Sequence, residues 1–100
     1  MGMHANPATS SGLLNADTAV SVAPAQLHSV QLIGDGTNTC QVTIYDNASA
    51  AAGRVLAIVS VDAGLTYENF LSMCGVEAQF GLYADVSGTG AQFIVHFSSQ

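Results

Sequence analysis

The chain has 100 residues, of which 49% are hydrophobic and only 8% are charged, and its net charge is −6. A chain of this length forms one domain, because two domains would each lack sufficient apolar interior. Its acidic balance, with Arg54 as the single basic residue besides histidine, repels phosphate backbones and excludes nucleic acid as a direct partner.

The low charge also predicts contacts with other proteins. Charged residues normally make up about 25% of a soluble domain, so we expect part of this exterior to be covered by another chain. No apolar run reaches the roughly 20 residues that span a bilayer, and the start "MGMHANPATSSG" lacks the features of a signal peptide. We therefore expect neither a membrane partner nor export.

Residues 1–18, "MGMHANPATSSGLLNADT", are mostly small and polar. This composition predicts an extended N-terminal arm, with residues 19–100 forming the folded domain. Leu13 and Leu14 are the bulky residues of the arm, and they indicate that part of it docks on a neighbouring surface. A passive disordered tail is the alternative, since termini are often disordered.

From Thr18 onward the hydrophobic period is two, which is typical of half-buried strands. The alternation is clearest in "QLHSVQLIG", "TCQVTIYD", "VEAQFGLY" and "AQFIVHF". It predicts inward-facing side chains at His28, Val30, Leu32, Cys40, Val42, Ile44, Val76, Ala78, Phe80, Leu82, Phe93, Val95 and Phe97.

Shorter strand candidates are "AVSVA", "RVLAIVSV" and "LTYENFL". Seven or eight strands at intervals of about 8 to 14 residues predict an all-β fold, an antiparallel β-sandwich of the jelly-roll or immunoglobulin-like type. The glycines of "DVSGTG" predict a hairpin turn between the last two strands, because glycine adopts positive φ without steric cost.

No segment carries a pattern typical of catalysis. His4, His28 and His96 are too dispersed for a short metal motif, and the scattered acids match no calcium loop. There is no nucleophile elbow or phosphate loop. We therefore predict no enzyme activity, no catalytic residue, no cofactor and no metal.

Cys40 and Cys74 are expected to be free thiols, since small disulfide scaffolds usually carry four or more cysteines.

Three segments together carry a family resemblance. They are "AQLHSVQLIGDG", "VTIYDNASAAAGRVLAIVSV" and "FGLYADVSGTGAQFIVHF", and over residues 19–98 the chain resembles small virion proteins of tailed bacteriophages, of the head decoration, cement or head-fibre type. The resemblance implies a sandwich, often a jelly roll, that is made in the host cytoplasm, assembles as a homotrimer and binds the major capsid protein on the capsid surface.

The strand "RVLAIVSV" is apolar on both faces. Val55, Ala57, Val59 and Val61 are predicted to face the core. The other face then meets a neighbouring subunit, or lies under a loop or the arm. The predicted interface residues are Leu13, Leu14, Leu56 and Ile58.

A different class of function stays open beside the decoration protein. A carbohydrate-binding or adhesive module of a tail fibre or receptor-recognition protein would use exposed aromatic side chains. The chain has no tryptophan and three tyrosines, which are Tyr45, Tyr67 and Tyr83.

Overall fold

The computed structural model describes residues 8–99, and for residues 71–74 it describes the backbone alone. Within this range the chain forms eight strands and no helix. The strands are β1 (Thr9–Ser10), β2 (Thr18–Ser21), β3 (Ala25–Ile33), β4 (Cys40–Asp46), β5 (Arg54–Val61), β6 (Tyr67–Ala78), β7 (Leu82–Ser87) and β8 (Gln92–Ser99).

The strands form two antiparallel four-stranded sheets, with the orders β1-β8-β3-β6 and β2-β7-β4-β5. The first strand pairs with the last, β2 with β7, β3 with β6 and β4 with β5. This nested pairing is the strand order of a jelly roll. The predicted all-β antiparallel sandwich is confirmed, and of the two sandwich types that the sequence left open, the strand order selects the jelly roll.

The core lies between the two sheets and contains the inward-facing residues of both. Alternation predicted much of it correctly, because antiparallel strands with one covered face bury every second side chain. The largest fully buried side chains are Phe93, Leu27, Leu32, Ile44, Leu82, Val30, Val42, Val61, Val95 and Cys40.

A bulge in β3 shifts the predicted face of this strand. Leu27 pairs with Phe97 and the next pair is Ser29 with His96, so His28 is the additional residue. The prediction that His28 shares an inward face with Val30 is wrong, because the bulge reverses the alternation between these two residues. Leu27 is buried in its place.

A second bulge changes the start of β5. Ile44 pairs with Ala57 but Tyr45 pairs with Val55, which leaves Leu56 as the additional residue. Leu56 packs against the core, whereas Val55 is 45% exposed. The predicted inward position of Val55 is therefore wrong, while those of Ala57, Val59 and Val61 are confirmed.

The segment "VEAQFGLY" is not one strand. β6 ends at Ala78 and β7 begins at Leu82 in the other sheet. Ala78 and Leu82 are buried, but Phe80 lies in the connection and is 64% exposed, so its predicted burial is wrong. The chain passes here from one sheet to the other, and strand alternation does not extend across the crossing.

The segment "DVSGTG" turns the chain but does not form a hairpin. β7 lies in the second sheet and β8 in the first, so the predicted pairing of these strands is wrong. Gly88 and Gly90 have φ values of 106° and 77°, which glycine adopts readily. Their backbone forms a corner between the sheets.

Part of the predicted arm belongs to the first sheet. Thr9 pairs with Phe97 in β8, the Ser11 amide donates to the Val95 carbonyl at 2.8 Å, and Leu14 forms a bridge with Phe93. Residues 1–7 of the predicted arm lie outside the described residues. The described part runs along β8 and adds an edge strand to the sandwich.

Candidate functional site

Three connections meet at one end of the sandwich. They are residues 22–24, 47–53 and 79–81. Gly81, in the third connection, lies between the first two connections. A Cβ atom at Gly81 would lie 2.9 Å from Ala48 Cα and would overlap the Ser21 carbonyl oxygen. Only glycine permits this close approach of the backbones. We call the three connections together the apolar end.

Asp46, the last residue of β4, holds the apolar end together. Its side chain is 4% exposed and accepts hydrogen bonds from the amides of Gln79 at 3.0 Å and Phe80 at 2.8 Å. Arg54 Nη2 lies 3.3 Å from the same carboxylate and donates to the Glu77 carbonyl at 2.9 Å. One buried carboxylate thus fixes the 79–81 connection to β4 and β5.

The surroundings of Asp46 favour its ionised form. Burial raises the pKa of a carboxyl group, but the amides of Gln79 and Phe80 and the Arg54 guanidinium outweigh it, and the pKa of Asp46 is lowered from 3.8. Asp46 is therefore ionised near neutral pH, and Arg54 compensates its charge.

The apolar end exposes two large hydrophobic side chains. Val22 is 72% exposed and Phe80 is 64% exposed. The alanines of the neighbouring 47–53 loop are also mostly exposed, and Asn47 fixes this loop by accepting from the amides of Ser49 and Ala50 at 2.9 and 3.1 Å. The result is an exposed hydrophobic surface on a hydrogen-bonded frame.

The opposite end of the sandwich is acidic. Its connections carry Asp35 and Asp62, and Glu68 follows near the start of β6. The amides of Asn38 and Thr37 donate to Asp35 and lower its pKa, so this exposed group carries its full charge near neutral pH. At the other end, Arg54 offsets one of the two negative charges of Asp46 and Glu77. The acidic end therefore repels anionic surfaces more strongly than the apolar end does.

The structure separates the residues that the sequence predicted as an interface. Leu13 is 56% exposed beside β8, and Ile58 is 58% exposed on β5 in the other sheet. Leu14 and Leu56 pack against the core. The four residues therefore do not form one surface. Sequence reasoning missed Val22, and it placed Phe80 in the core; a signal was available in Pro24 and Gly81, which mark connections next to them.

The two described histidines form hydrogen bonds on the outer face of the first sheet. His28 Nε2 lies 2.9 Å from Ser98 Oγ, and His96 Nδ1 lies 2.9 Å from Ser29 Oγ. Each histidine thus bonds a serine side chain of the neighbouring strand. His4 lies outside the described residues.

Within residues 8–99, excluding the side chains of 71–74, no group of three or more His, Cys, Asp or Glu residues is placed to hold a metal ion. Cys40 is buried with a free thiol, and the side chain of Cys74 lies outside the described part.

No family model matches the chain, and comparisons with curated proteins and with solved structures gave no match. In the part of the chain that the structure describes, no helix is suited to cross a membrane.

Proposed function

We propose that the protein is a non-enzymatic virion structural protein that binds the outer surface of a phage capsid as a decoration, or cement, protein. Its partner is the major capsid protein, and it binds as a homotrimer. The observation that supports this proposal best is the apolar end, where Val22 and Phe80 are exposed and Asp46 fixes the backbone of Phe80. The family resemblance of residues 19–98 adds the capsid as the partner.

The apolar end is suited to binding because its backbone is already ordered. An aromatic side chain buries about 150 to 250 Å² when it is covered, and a connection fixed by hydrogen bonds loses little further entropy on binding. A trimer presents three such ends, so modest affinity at each one is multiplied by avidity. Phe80 is the central contact in this proposal.

Capsid binding tests the proposal directly. Empty shells are assembled from the major capsid protein of the phage that encodes this chain, and the bound fraction of the protein is measured by co-sedimentation. We expect Phe80→Ser to weaken binding by about 30-fold or more, as for a central interface residue. The fold should persist, because Asp46 binds the backbone amide of Phe80 and not its ring.

The matched control is Leu65→Ser, since Leu65 is 57% exposed but lies at the acidic end. It should bind shells as the unchanged protein does. Equal losses in both variants would assign the effect to general surface hydrophobicity. Failure of the unchanged protein to bind shells, or its absence from purified virions by mass spectrometry, would contradict the decoration function.

A substitution in β5 tests the proposed trimer. Ile58→Asp introduces a charge at a position that is 58% exposed, so the monomer should keep its circular dichroism spectrum. We expect light scattering to show dissociation if the Ile58 face lies between subunits. Leu56→Asp is the comparison, because Leu56 packs against the core and a buried charge should lower the melting temperature. A folded Ile58→Asp variant that stays trimeric would remove β5 from the interface.

A further inference from the structure

The outer face of the second sheet carries a row of apolar and aromatic side chains across four strands. Tyr83 in β7 and Tyr45 in β4 are register partners, and directly opposite residues have Cβ atoms about 4.5 to 5.5 Å apart. Ala19 in β2 extends the row on one side and Val55 in β5 on the other. Both tyrosines are half-buried. Two of the three tyrosines in the chain therefore lie side by side on one sheet face.

Polar groups follow this row along the strands. Two residues further along β7 and β4, a row of Asp85, Thr43 and Ile58 crosses the same face; in β5 this step takes three residues because of the bulge at Leu56. After two more residues in each strand comes a row of Ser87, Gln41 and Ser60. Each step of two residues spans about 7 Å. Gln41 contacts both polar neighbours, since its amide nitrogen donates to Thr43 Oγ1 at 3.4 Å and its amide oxygen accepts from Ser60 Oγ at 3.1 Å.

We propose that this face binds a neutral glycan chain, with sugar rings against Tyr45 and Tyr83 and sugar hydroxyls hydrogen-bonded to Asp85 and Gln41. Tyrosine offers an apolar ring surface and a polar tip, which suits the C–H faces and hydroxyl edges of a pyranose. Carboxylate oxygens accept hydrogen bonds from hydroxyl groups, and an amide both donates and accepts. The binding activity is additional to capsid decoration and uses a different surface.

The charges of the face favour this ligand over the alternatives. Asp17 accepts from the Val86 amide at 2.9 Å and lies beside Asp85, and burial together with the Asp17 carboxylate raises the pKa of Asp85. These carboxylates repel anionic sugars and phosphates, whereas a neutral polyol is not repelled. Ile58 lies on the same face, so glycan binding requires that the trimer forms through another surface.

Binding is tested with neutral hexasaccharides of glucose, mannose and N-acetylglucosamine as probes, titrated against the unchanged protein by NMR. We expect at least one probe to shift the amide resonances around Tyr45 and Tyr83. Tyr83→Ala should then raise the dissociation constant of that probe at least tenfold. Tyr83→Phe should retain most of the affinity because the ring surface is kept. Tyr67→Ala is the matched control, since Tyr67 is 53% exposed on β6 of the other sheet, and it should change nothing.

Three outcomes would overturn the inference. The first is that none of the probes binds with a dissociation constant below about 10 mM. The second is equal weakening by Tyr83→Ala and Tyr67→Ala, and the third is a self-association surface that includes Tyr83. If Tyr83→Ala does not fold, Gln41→Ala replaces it in the test. Gln41 is exposed, and removing its side chain should also weaken binding of the probe. Phe80→Ser should leave glycan binding intact while capsid binding falls, which separates this inference from the proposed function.

Discussion

Phe93→Ala is expected to lower the free energy of unfolding by about 3 to 5 kcal/mol, as truncation of a buried phenylalanine does. Phe93 is fully buried in β8, between the N-terminal segment at Leu14 and the β3 residue Leu32. A domain of this size is stable by about 5 to 15 kcal/mol, so the variant should lose a large share of its stability. Urea unfolding followed by circular dichroism at one fixed protein concentration measures the difference.

The matched control is Phe80→Ala, which removes the same atoms from a side chain that is 64% exposed. We expect its free energy of unfolding to change by less than about 0.5 kcal/mol, as for most surface substitutions. A loss at Phe80 as large as that at Phe93 would mean that Phe80 is covered in solution, for example inside a stable oligomer. Repeating the measurement at several protein concentrations distinguishes that case, because oligomer stability depends on concentration.

The two phenylalanines also show how far alternation predicts this fold. The pattern at Phe93 and Val95 holds because β8 is central in its sheet and covered on one face by the other sheet. The same pattern fails at Phe80 because the chain changes sheets there, and at Val55 and His28 because a bulge adds one residue to a strand. A bulge depends on the pairing of two strands, so one strand's hydrophobic pattern does not predict it.

The candidate surfaces were less predictable than the core. Tyr45 and Tyr83 are 38 positions apart in the sequence and become neighbours only because β4 pairs with β7. Strand order is not visible in a single sequence. The same holds for Asp46, whose partners at positions 79 and 80 come from a distant connection. Composition predicted a charge-poor exterior, and the jelly-roll topology decides which exposed side chains share one end.

Asp46→Ala should destabilise the fold by about 3 kcal/mol, because two backbone amides lose a charged acceptor and each such hydrogen bond contributes about 1.5 to 3 kcal/mol. The ion pair with Arg54 adds little, since the Arg54 side chain is 61% exposed and exposed pairs contribute about 0 to 1 kcal/mol. The variant should also weaken capsid binding, because Phe80 loses the hydrogen bond that positions it. Urea unfolding and shell co-sedimentation measure the two effects. The control is Asp62→Ala, which removes an exposed carboxylate at the acidic end and should change neither.

The contribution of Asp46 should disappear in acid. Its pKa in the folded protein is lowered from 3.8, so the folded state binds this proton less readily than the unfolded chain does. The resulting stability is complete above the unfolded pKa and is lost as the pH falls through the folded pKa. We therefore expect the difference in unfolding free energy between the unchanged protein and Asp46→Asn to be constant from about pH 5 to 7 and to shrink below about pH 4. A difference that stays constant down to pH 2 would show that the charge of Asp46 does not stabilise the apolar end, and that its two amide contacts depend on the shape of the side chain alone.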